Sequence, residues 1–374
     1  MPETRAEWNE MLYRDHPSRS ALETAVADYA EHSGQTLRCA TAFARDGVDH
    51  AVAAALGCPP IGRVMAARPD DGWWLLEMHR EWGEKQRQSE RGACMVMTAD
   101  DHGHVFHVIS SEGSAFWCGV LDYAVRRAYP GVTRAALTTR EMGALLEELA
   151  NSISVPPDSF RVVEMSYQSR LDDGRARRPQ KTDRTWTDTD LHAAFQELDE
   201  LDASLNTIRF NAYSNGRVVT SGALRRVCEL SYAGPSEGLL RSMIPTMARI
   251  TENRMTLLSG RARQQTRQFE AKPFFIAFDD HRMEDSAARA RLLHALARMS
   301  NTSQSVVHAN PYVHLRVLDY LEDTSCDVYV MASDRITIVP QTRSSSSSLE
   351  RIYAHICAEF GEGRLVDFEE VYPA

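Results

Sequence analysis

Ile208-Arg-Phe-Asn-Ala-Tyr213-Ser-Asn-Gly216-Arg-Val-Val-Thr220 reads as a β-hairpin. Apolar and polar residues alternate over 208–213, the period of a strand with one buried face. Asn215-Gly216 supplies the positive-φ pair of a tight two-residue turn. An antiparallel pair, not a βαβ crossover, therefore organises this part of the chain.

Beyond this hairpin, Cys228–Tyr232 and the apolar run Phe274–Phe278 read as further strands, with helices between them broken at Pro245. A helix over 287–299 precedes four strand-like runs at 304–308, 313–319, 327–331 and 335–339. The serine run 344–348 reads as a loop feeding the cap of a helix over 349–360, and 365–369 as a closing strand. Upstream, 188–203 has the look of an acidic helix. Nearer the N-terminus, helices are expected over 5–32, 46–56, 114–128 and 141–151, with Thr139 as the cap of the last. Residues 73–86 suit either a helix or an extended approach to one. Cys94–Thr98 and His104–Ile109, joined by Asp100-Asp-His-Gly103, form a second hairpin, and 161–166 is strand-like.

The expected class is α+β. Residues 1–167 form a helix-rich part with one hairpin, and 187–374 a mostly antiparallel sheet with packed helices. The polar, turn-rich stretch 168–186 lies between them as a basic linker or exposed loop. A hairpin begins at Cys94 with a helix twenty residues later, and another at Cys326 with a helix again twenty residues later. A duplicated unit would produce this echo, but chance recurrence of a common α+β unit is the preferred reading.

The 374 residues carry a net charge of −10, and 43% hydrophobic content is enough for a real core. No leader-like N-terminus and no run of about 20 apolar residues is visible, so a membrane location is not expected. Seven scattered cysteines without a Cys-x-x-Cys pair suit free thiols in the cytoplasm.

Charge is distributed unevenly. Residues 205–272 hold eleven basic side chains against four acids. Arginine outnumbers lysine 39 to 3, a pattern that codon bias explains, but such bias leaves the local excess unexplained. A basic region in an acidic protein marks contact with a polyanion, most often nucleic acid, or with an acidic partner. Arg249, Arg254, Arg261, Arg263 and Arg267 are the expected phosphate contacts, joined by Arg175, Arg177 and Arg178 of the linker.

Three motifs carry possible chemistry. In Phe274-Phe-Ile-Ala-Phe-Asp-Asp-His281, two carboxylates end an apolar strand, a place where Mg²⁺ is often held. With His308 and His314 downstream, some 50 residues resemble the archaeo-eukaryotic primase-type nucleotidyltransferases. That resemblance implies Asp279 and Asp280 as metal ligands and the histidines as catalytic partners. The family separates its acids by one residue, whereas these are adjacent and alternate across a strand. Gly234-Pro-Ser236-Glu-Gly238 resembles the nucleophile elbow of α/β-hydrolases, implying Ser236 as nucleophile, an aspartate at 279 or 280, and His308. Its alternative is a helix cap. Glu270-Ala-Lys272 is similar to the Glu-x-Lys of restriction-type nucleases, although the apolar run follows it here. His102, His104 and His107 are too dispersed around a turn and strand to share a metal.

The reading that follows is a nucleic-acid-associated protein of a bacterial DNA-processing or defence system. The alternatives are a metal-dependent phosphoryl-transfer enzyme, a serine hydrolase, or a non-catalytic subunit bound to a protein partner or to a second copy.

Overall fold

The computed structural model describes residues 2–56, 61–83, 88–170, 183–262, 271–310, 312–341 and 343–372. The fold is α+β, built on two antiparallel sheets.

Helix α1 (Pro2–Tyr13) is separated from α2 (Arg19–Ser33), where Ser18 caps through its side chain just after Pro17. The helical pattern over 5–32 is therefore two helices, since proline lacks the donor a continuous helix needs. Next comes β1 (Leu37–Ala44), a strand with little sequence signal because its alanines have weak β preference. After α3 (Val48–Leu56), β2 (Ile61–Arg68), β3 (Trp73–Trp82), β4 (Gln88–Thr98) and β5 (Val105–Ser110) form a meander. The 73–86 segment is thus extended, and this half holds more strand than one hairpin. Helix α4 covers 114–127 with a π-helical middle at Trp117–Leu121, and β6 (Val132–Thr133) follows. A capping box between Thr138 and Glu141 starts α5 (Thr139–Ser152).

The next elements are β7 (Phe160–Ser169), β8 (Asp183–Asp190), α6 (Leu191–Glu200), β9 (Ala203–Ser214), β10 (Arg217–Arg225) and β11 (Glu229–Ala233). Residues 183–190, read as part of a linker and an acidic helix, thus form a strand that pairs with β7. Helix α7 covers 237–261 and does not break at Pro245. A π-helical turn, Glu237–Met243, precedes the proline and leaves it in the first turn of the α-helical part, where a missing N–H costs least.

The C-terminal elements are β12 (Phe274–Ala277), α8 (Ser286–Ala297), β13 (Thr302–His308), β14 (Val313–Asp319), β15 (Thr324–Val330), β16 (Arg335–Pro340), α9 (Ser346–Glu359), β17 (Arg364–Asp367) and α10 (Phe368–Val371). The larger sheet runs β2-β3-β4-β5-β1-β11-β10-β9-β7-β8, with β6 beside β1; the smaller runs β13-β14-β15-β16-β12-β17. Strands from both sides of 168–186 share the larger sheet.

The two units that carry the twenty-residue echo share a topology. The orders β2-β3-β4-β5-β1-β6 and β13-β14-β15-β16-β12-β17 are the same path, each with a helix after its first strand and another before its last. Cys94 and Cys326 occupy equivalent buried positions on β4 and β15.

Arginines fasten the two halves around the C-terminal end of α9. Arg170 donates to the carbonyls of Cys357 at 2.8 Å and Ala358 at 3.3 Å. Arg226 reaches that of Ala354 at 3.2 Å, and Arg282 that of Phe360 at 3.1 Å. Positive charge at a helix C-terminus satisfies its unpaired carbonyls and opposes its dipole.

Candidate polyanion interface

Helices α5, α6 and α7 pack on one face of β7–β11, burying Phe160, Val162, Ile208, Phe210, Leu224 and Leu230. Strand alternation sends the intervening residues to the other face. There, Arg38, Ser231, Ala223, Arg209 and Glu164 form one row across β1, β11, β10, β9 and β7. Glu229, Arg225, Thr207, Ser166 and Arg184 form the next row. Four arginines thus frame a floor of small residues, and the hollow between them measures about 340 Å³.

Few carboxylates balance this tray. Glu164 pairs with both Arg184 at 2.7 Å and Arg209 at 3.2 Å. It is only 6% exposed, while Arg209 is 57% exposed. The acid lies low and the guanidiniums stand above it. Arg225 pairs with the buried Glu229 at 2.9 Å, and Arg38 makes no ion pair among the described residues. A guanidinium carries five donors, so the one carboxylate contacted by Arg209 does not use all of them.

Arg225 also lines a second hollow of about 790 Å³, bounded by α4, β6 and the turns after β10 and β14. Arg126 and Arg134 share Asp122 there. Burial pushes the pKa of Arg134 below that of a free guanidinium; Glu229 pulls it back up, while Arg126 and Arg225 add repulsion. Eight arginines against three carboxylates line the two hollows together, in a chain whose net charge is −10.

The arginines expected to face phosphate behave differently. Arg254 is buried and donates to both carboxylate oxygens of Glu141 at 2.6 Å, lies 3.4 Å from Glu350, and also bonds the Ala136 carbonyl. Arg261 is buried against Asp367, whose pKa it lowers. Both are corrections: burial in the fold keeps their guanidiniums from an outside polyanion. Arg249 is exposed, but it lines another cleft, where five carboxylates face four arginines. Arg175, Arg177, Arg178, Arg263 and Arg267 lie outside the described residues, as does Glu270.

The catalytic constellations are not assembled. Asp279 is exposed and pairs with Arg140; Asp280 pairs with Arg282 at 3.3 Å. His308 and His314 are cross-strand neighbours on β13 and β14. Four strand spacings, roughly 19 Å, separate β13 from β12. His314 stacks on Tyr329 and lies 3.7 Å from Asp327, while His308 stacks on Tyr312. Among the described residues, no three His, Cys, Asp or Glu side chains converge as a metal site. Ser236 has ordinary helical φ and ψ, without the strain of a nucleophile elbow, and donates to Glu31 at 2.5 Å. His308, its expected base, is on the other sheet. His104 bonds the Ala44 carbonyl, and His107 is buried against Thr41 with its pKa pushed down to about 3 by burial.

No protein-family model matches the chain, and no curated protein resembles it at a significant level. Among the described residues, no helix is long and apolar enough to cross a membrane.

Proposed function

We propose that the protein binds nucleic acid through the arginine tray and the groove continuing from it, by phosphate contacts without base reading. The observation carrying this reading is the pair of cross-strand rows in which Arg38, Arg184, Arg209 and Arg225 surround small residues on a sheet face left open among the described residues. Excess guanidinium donors on an open surface suit phosphate oxygens and release condensed counterions on binding. The six described cysteines are unpaired, which agrees with a reducing, cytoplasmic setting of DNA processing or defence.

Fluorescence anisotropy of labelled single- and double-stranded DNA and RNA over a salt series tests it. Binding that weakens steeply with salt, and that Arg209→Glu with Arg225→Glu abolishes, is the expected result. Flat anisotropy on every nucleic acid would sink the reading and leave an acidic protein partner for the tray.

A further inference from the structure

The second hollow differs from the tray in carrying aliphatic side chains among its arginines. Val125 and Val132 form one side, and Val227 and Leu321 project from two turns on the other. Val227 is 44% exposed and Leu321 48% exposed, unusual for branched aliphatic residues beside a cluster of arginines. Arg126, Arg127 and Arg225 line the same hollow. At its base, Arg134 donates to Asp122 at 2.7 Å, but its buried Nε has no acceptor among the described residues. That N–H is a donor left over beside the ion pair.

A bare phosphate would fill only a small part of about 790 Å³ and would leave the aliphatic walls wet. That volume, with an aliphatic portion beside convergent charged groups, is within the range of a site for an organic ligand. The ligand must carry negative charge for the guanidiniums and a flat apolar body for the valines and leucine. Because Arg225 lines both hollows, a polyanion lying on the tray leads directly into this pocket.

We propose that the pocket seats one phosphate-bearing nucleotide, its base against Val125, Val132, Val227 and Leu321 and its phosphate on Arg126, Arg127 and Arg225. This rests on the nucleic-acid reading of the tray for its choice of ligand class. Two sources share the chemistry: the terminal nucleotide of a bound strand, and a free nucleotide.

The test compares labelled oligonucleotides with and without a terminal phosphate by anisotropy. It also titrates adenosine monophosphate, adenosine and inorganic phosphate by calorimetry. Val227→Asp with Leu321→Asp alters only exposed side chains, so folding is retained; Arg127→Glu is a second, independent variant. For a strand end, the terminally phosphorylated oligonucleotide should bind about tenfold tighter than its hydroxyl counterpart, and either variant should erase the difference. For a free nucleotide, adenosine monophosphate should bind well above both adenosine and inorganic phosphate, and again either variant should remove it. Equal affinity for both oligonucleotides together with no nucleotide binding would overturn the pocket while leaving the tray intact. Inorganic phosphate binding as tightly as the nucleotide would overturn it too. Nucleotide binding that needs Val227 and Leu321, without any strand binding, would support the pocket and remove the nucleic-acid function.

Discussion

Arg209 and Arg254 belong to the same basic stretch of sequence and have opposite fates. Arg254 lies inside the fold, its guanidinium divided among Glu141, Glu350 and the Ala136 carbonyl and placed 4.9 Å from the Tyr353 ring. Arg209 stands on an open sheet face above a single shared carboxylate. The difference is one of neighbours. On α7, Arg254 is beside Met255 and Leu258, so the stripe that enters the core carries the arginine with it. On β9, strict alternation between Ile208 and Phe210 forces Arg209 outward. Local charge density in a sequence therefore counts two populations, one that joins the halves of the fold and one that is available to a ligand.

Removing one arginine of each kind puts this division to its hardest test. Arg254→Met leaves Glu350, only 3% exposed, without its cation. Stripping one partner from a buried pair costs about 3–5 kcal/mol, so urea denaturation should show a large fall in stability. Adding Glu350→Gln should recover part of it. A loss below about 1 kcal/mol would mean that the buried set is not what fastens α5, α7 and α9 together.

Arg209→Gln with Arg225→Gln should fall mainly on binding. Glu164 and Glu229 are buried, so some stability should be lost too, but less than for Arg254→Met, because Glu164 keeps Arg184 and a glutamine amide can still donate to Glu229. Binding of duplex DNA should fall at least about tenfold, and the slope of log K against log salt should flatten by about 0.9 for each phosphate that is no longer neutralised. Unchanged affinity and slope would assign the tray to some other role.

The two sets should also part in their response to pH. Burial raises the pKa of Glu350 to about 6, although Arg254 pulls it the other way. Its folded pKa lies above the unfolded value of about 4.3. Protonation therefore favours the folded state: this contribution is fully present below about pH 4.3 and is lost as pH rises through 6. Measured against Glu350→Gln, the native protein should gain stability as pH falls from about 7 to 4.5. A constant gap between the two proteins across that range would refute the shift. Contacts made through guanidinium groups should respond to salt by screening.

Much of the fold was legible. Asn215-Gly216 forms the turn between β9 and β10, and the four runs from 304 to 339 are β13 to β16. Strand β1 was not legible, because Arg38-Cys-Ala-Thr-Ala has neither strong β formers nor a clean alternation. That omission mattered, since β1 joins the two parts of the larger sheet and contributes Arg38 to the tray. The candidate site was legible only in class. Arg209 and Arg225 could be placed outward by period alone, but Arg184 and Arg38 join them through strand pairings that span up to about half the chain. The adjacent acids Asp279 and Asp280 and the Gly-x-Ser-x-Gly motif are short patterns whose chemistry depends on distant partners, and here the fold separates those partners.

Ser236 gives the smallest expected effect. If motif alone decided role, Ser236→Ala would abolish an activity. The structure gives it a hydrogen bond to Glu31 on α2, tying the N-terminal helices to the turn before α7. Loss of one such bond to a charged acceptor costs about 1.5–3 kcal/mol when the acceptor stays dry, and less when water replaces the donor. Glu31 is exposed, so water can take the place of the hydroxyl. The expected loss is therefore about 1 kcal/mol or less in urea, with nucleic-acid affinity and its salt slope unchanged. A Ser236→Ala protein of native stability that loses a hydrolytic activity present in the parent would restore the serine as a nucleophile and reverse the assignment.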